Sequence, residues 1–117
     1  MFVHLVLIKL KPGITRSDPR VRAWQTQFEA LERKVHGITR FECGWNTTDR
    51  PIAYDFGANM AFKTRADLDA YGPHPAHVDV VAKLREIADW HICDYERQDR
   101  VVRRSAVSLV ASVEGLK

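Results

Sequence analysis

The run that opens the chain, Phe2-Val3-His4-Leu5-Val6-Leu7-Ile8-Lys9-Leu10-Lys11, constrains the fold more than any other segment. Its Val, Leu and Ile content and its alternation are those of a β-strand. One set of alternate positions holds Phe2, His4, Val6, Ile8 and Leu10; the other holds Val3, Leu5 and Leu7 before Lys9 turns it polar. A strand apolar on one face packs on a single layer, whereas a strand apolar on both needs cover on both sides. Residues 2–10 therefore belong in a sheet with something packed on each face.

The rest of the pattern supplies one of those layers. Pro12-Gly13 is a turn, and Asp18 followed by Pro19 offers an N-cap with proline at the first helical position. Val21, Trp24, Phe28, Leu31 and Val35 then recur at helical spacing up to Gly37, which predicts one helix. Ile38 to Trp45 alternates as a second strand, with Phe41, Cys43 and Trp45 on one side and Arg40 and Glu42 on the other. Tyr54 to Lys63 is a third, with Phe56, Ala58, Met60 and Phe62 on its apolar face. Thr64 with Asp67 three residues on opens a short helix through Tyr71. Gly72-Pro73 breaks it, and His74-Pro75 starts another with His77, Val81, Leu84 and Ala88 aligned along one stripe. Trp90 to Glu96 is a fourth strand.

Strand, helix, strand, strand, helix, strand is the α+β order of a ferredoxin-like βαββαβ sandwich, with the second helix in two pieces. Such helices cover one face of a four-stranded sheet. The second apolar face of the first strand then calls for a second subunit, so the expectation is a homodimer whose two sheets enclose a shared interior, a dimeric α/β barrel. At 117 residues the chain is one domain. The repeating pattern is complete by residue 97, which divides it into a domain over 1–97 and a basic tail over 98–117. Residues 97–117 hold five basic and two acidic side chains, against thirteen of each before them.

Composition narrows the class. With 45% hydrophobic and 28% charged residues the chain is not a disordered one. No apolar run approaches the roughly 20 residues of a membrane span, and the opening lacks the basic start and cleavage site of a signal peptide. A soluble, cytoplasmic protein without membrane association is expected. Cys43 and Cys93 lack metal or redox spacing and belong to strands on opposite edges of the usual ferredoxin-like order, so they are not expected to meet. The tail's arginines lack interleaved aromatics and the body adds no positive excess, so no nucleic-acid partner is expected.

The histidines carry what chemistry the sequence offers. His36 before Gly37 reads as a helix-end residue, and His91, alternating with Cys93 and Tyr95, as a satisfied sheet histidine. His4 interrupts an apolar strand face expected to point into the space between subunits. A buried imidazole needs partners on its nitrogens, and two readings of His4 stand side by side: a structural histidine bonded to a carbonyl, and a functional one. His77, on its helix stripe, has the same pair of readings. Tyr71 ends the preceding helix with a hydroxyl that needs a partner if buried. His74 and His77 alone do not make a metal site, and His74 reads as the residue that starts its helix. Asp94 reads as an edge-strand acid facing water, the alternative being that it orients a histidine. Because Tyr71 and His77 flank the Gly72-Pro73 break, where a cavity beside the sheet opens readily, His4, Tyr71 and His77 are expected to converge on one pocket.

The opening His4 to Gly13, the segment Phe62 to Leu68, the run Tyr71-Gly-Pro-His-Pro-Ala-His77 and the ending Cys93-Asp94-Tyr95-Glu96 together resemble the stress-responsive dimeric α/β-barrel (Dabb) family over about residues 2–96. The resemblance implies a ferredoxin-like subunit and a homodimer. It includes a likeness to the plant olivetolic acid cyclase, a polyketide cyclase of that family, whose catalytic positions fall on His4, Tyr71 and His77. By that likeness His77 is the general base of an aldol step and Tyr71 and His4 bind or polarise a carbonyl, with no cofactor. The implied ligand is a small apolar carbonyl or aromatic compound, and the implied reaction that of a cyclase-like lyase or isomerase. A non-catalytic stress-responsive binder and a cofactor-free monooxygenase of the antibiotic-biosynthesis kind are the alternatives.

Overall fold

The computed structural model describes residues 1–98, in the order β1 (Phe2–Leu10), α1 (Pro19–Glu29), α2 (Leu31–Lys34), β2 (Ile38–Trp45), β3 (Phe56–Phe62), α3 (Arg65–Tyr71), α4 (Pro75–Ile87) and β4 (Ala88–Glu96). The strands form one antiparallel sheet in the order β2-β3-β1-β4. This is the ferredoxin-like α+β fold, with the apolar first strand at the centre. The edge strands β2 and β4 carry Cys43 and Cys93, and both cysteines are free. The tail reading falls on residues 99–117, outside the described residues.

Local chemistry explains where the elements start. Asp18 accepts from the Arg20 backbone N–H, Thr64 from that of Asp67 and His74 Nδ1 from that of Ala76, each satisfying a donor that a helix start leaves bare. Gly37 turns the chain from α2 into β2 at φ 93°, where a Cβ would meet the Asp67 side chain at 2.6 Å, so only glycine fits.

One core joins helices to sheet. Val6 and Ile8 of β1 and Phe56, Ala58, Met60 and Phe62 of β3 pack against Val21, Trp24, Phe28, Leu31, Val35, Tyr71, Val80, Leu84 and Ile87. Three expectations change. The stretch from Val21 to Val35 buries the residues its spacing selects, but as two helices, with Ala30 at the break. In α4 the buried stripe is Val80, Leu84 and Ile87; Val81 and His77 lie beside it and Ala88 already belongs to β4. The face of β1 that carries His4 meets the helices and not the space beyond the sheet, because its neighbours Val6 and Ile8 are the positions the helices cover. On the opposite face Val3 is buried, Leu5 half-buried and Leu7 exposed.

Candidate functional site

Three elements bring the expected residues together. His4 is on the central strand, Tyr71 ends α3, and His77 lies in the first turns of α4, so the Gly72-Pro73 break folds the last two back over the first. The Tyr71 ring lies 5.6 Å from His4 and 4.0 Å from His77, centroid to centroid. Tyr71 is buried and also packs against Phe62, 5.3 Å away between centroids.

The imidazoles are anchored alike. His77 Nδ1 lies 2.9 Å from the Gly72 carbonyl oxygen, which can only accept, so Nδ1 carries the proton and Nε2 keeps its lone pair. His4 Nδ1 donates to the Asp94 carboxylate on the neighbouring strand, where β1 and β4 pair the two residues directly. That contact corrects the reading of Asp94 as an acid facing water: its side chain is part-exposed, yet one oxygen holds His4. The signal was available in the sequence, because antiparallel pairing of β1 with β4 sets an acid opposite a histidine on the same face. It becomes specific only once the register is known.

Burial pushes the His77 pKa down, more than the Gly72 hydrogen bond raises it, and His4 and His74 lower it further. The neutral, lone-pair form is thereby favoured at neutral pH. Burial also pushes the Tyr71 phenol well above its ordinary range, so it stays a protonated donor.

His4, Tyr71, His77 and Ile92 line both of two adjoining chambers and make up the waist these share. The inner one, a cavity of about 210 Å³ that is itself part-open to solvent, is walled by Val6, Ile8, Trp24, Phe28, Val80 and Leu84, among others. Outside lies a mouth of about 490 Å³ bounded by Phe2, Arg65, Leu68, Asp69, Asp94 and Glu96, among others. The inner walls are hydrocarbon and aromatic and the outer ones carry charge, so the waist is where an apolar body would meet polar chemistry.

The other histidines behave differently. His91 is exposed on the opposite face and bonds Tyr54 through Nδ1 at 2.8 Å, a bonded sheet histidine as expected. His36 is exposed. His74 spends its Nδ1 on the start of α4, and among the described residues no group of three or more His, Cys, Asp or Glu side chains is arranged for a metal. No helix among them is long and apolar enough to cross a membrane.

Comparison with known proteins gives one family. The profile of the stress-responsive A/B barrel domain matches residues 2–97. An uncharacterized protein of Streptomyces coelicolor is 48% identical over 96 residues, 82% of this chain and 99% of that one. Among solved structures, a dimeric protein of unknown function and ferredoxin-like fold from Bacteroides fragilis is 26% identical with a TM-score of 0.66, covering 82% of this chain and 95% of its own. The hydroxynitrile lyase of Passiflora edulis superimposes with a TM-score of 0.73 at 11% identity, over 86% and 96% of the two chains, a likeness of fold alone.

Proposed function

The chain belongs to the stress-responsive A/B barrel domain family, and from that premise we propose that it is an acid–base catalyst of the lyase, cyclase or isomerase class acting on a small, largely apolar carbonyl compound. The observation that carries the reading is the shared waist: two imidazoles anchored through Nδ1 and packed against one buried phenol, lining an apolar cavity. The roles follow from protonation. Neutral His77 removes a proton alpha to the carbonyl through Nε2. Tyr71, held protonated by burial, donates to the carbonyl oxygen as negative charge develops there. His4 is the second imidazole, and Asp94 fixes its tautomer and stabilises it when it takes up a proton. That a relative in fold is by name a lyase agrees with this class of chemistry.

The same reading takes the working protein as a homodimer, closed over the face that carries Leu5 and Leu7, as solved relatives are described as dimeric. It takes 1–97 as the domain and 98–117 as an appended basic segment. Truncation after Arg97 leaves a cooperative melt, and an insoluble truncated chain would refute that boundary.

The test of the chemistry needs no knowledge of the natural substrate. With propiophenone in D₂O, the protein exchanges the protons alpha to the ketone, followed by loss of their NMR signal. His77→Ala slows this exchange by about a hundredfold or more and leaves the melting curve in place. Equal rates for the two proteins would return His77 to a purely structural role.

A further inference from the structure

The two chambers differ in what they demand of a ligand. The inner one, at about 210 Å³, is smaller than the roughly 300 Å³ at which ligand pockets begin. A ligand whose carbonyl sits at the waist therefore extends outward into the mouth, and its outer arm meets the charges there. Those charges are Arg65 against Asp69, Asp94 and Glu96, one cation and three carboxylates. With neutral imidazoles the described mouth carries a net of two negative charges.

Arg65, the one cation among the described residues of the mouth, is already paired. Arg65 Nε donates to Asp69 Oδ1 at 3.0 Å, a pair one helical turn apart on α3. Asp69 thereby offsets part of the guanidinium's charge, in a pair whose side chains are both exposed, and takes one of the five N–H groups with which arginine grips a carboxylate. Asp94 and Glu96 stand on the facing strand, β4, so an anionic arm would meet negative charge from both sides of the opening.

Resting on the reading of this cavity as the functional pocket, we propose that the mouth selects carbonyl compounds with an uncharged or cationic outer arm and turns away carboxylate and phosphate arms, Asp69 being the selecting residue. It acts on specificity and touches none of His4, Tyr71 and His77 through a hydrogen bond or ion pair.

Three phenyl ketones test this on the full chain: 4-oxo-4-phenylbutanoate, its primary amide, and 4-(dimethylamino)-1-phenylbutan-1-one. Each offers a phenyl group for the inner chamber, a ketone for the waist and a short arm for the mouth. Calorimetric titration is expected to show the amide and the amine binding about tenfold or more tighter than the carboxylate. The gap closes at about 1 M salt, where the Debye length is about 3 Å. Asp69→Asn, a change on an exposed helix face, releases Arg65 and narrows or inverts the preference; Glu96→Gln narrows it without inverting it. A carboxylate that binds as tightly as the amide, or a preference unchanged in Asp69→Asn, overturns the selection and leaves the pocket standing. Failure of all three ketones to bind overturns the pocket reading as well.

Discussion

The two faces of the sheet come from the same alternating strands and end in different states. On the helix side Ile8, Phe56, Met60 and Phe62 are each 1% exposed or less. On the other side Leu7 is 36% and Tyr95 45% exposed, with His91 and Cys93 exposed beside them, although Leu7 is as apolar as Ile8. Hydrophobicity alone does not distinguish neighbours in one strand; cover does, and where cover runs out on the edge strand, at Ile92, the helix-side face too is 57% exposed. The histidines repeat the contrast. On the covered face His4 meets an acid, a phenol and a cavity, while on the open face His91 meets Tyr54, through its hydroxyl and the edge of its ring.

The comparison breaks most visibly at Trp24, the largest of the fully buried side chains. Trp24→Ala empties the centre of the covered face and costs about 3–5 kcal/mol of stability by urea unfolding, the usual loss for a buried aromatic. A loss below about 1 kcal/mol would mean that the helices do not hold this face.

The open face answers next. Leu7→Asp puts a charge where the proposed partner sheet packs, so light scattering shows 13.4 kDa for the variant and twice that for the wild type. A wild-type protein that is itself a monomer at micromolar concentration removes the partner from the account. In that case Leu7 is merely exposed.

The smallest effect comes from His77. Its pKa is lowered in the folded protein, so the unfolded chain binds a proton first as pH falls. Stability from this residue is fully present above the ordinary imidazole value of about 6.5 and is lost as pH falls through the folded value. Between about pH 7.5 and about pH 5.5 the wild type accordingly loses more stability than His77→Asn. Equal losses would show that burial leaves the imidazole unperturbed.

Much of this was legible in order. The capping residues Asp18, Thr64 and His74 announce their helices because they act on backbone groups two or three residues away. The convergence of His4, Tyr71 and His77 was legible too, through the helix break at Gly72-Pro73. Asp94 was misread because its role depends on a partner ninety positions away in sequence. The direction of the His4 face was misread for a related reason: alternation says that two faces exist and not which one the helices choose.

Sequence by itself determined the elements, their order, the ferredoxin-like class and the two-faced apolar strand at its centre, because these follow from periodicity and from caps that act within one turn. Tertiary structure alone decided which face of β1 is covered, that Asp94 meets His4, and that one waist divides an apolar chamber from an acidic mouth. The physical reason is range. Strand register and helix docking are settled by contacts between residues far apart in the chain, and only those contacts bring side chains from β1, α3, α4 and β4 to one place.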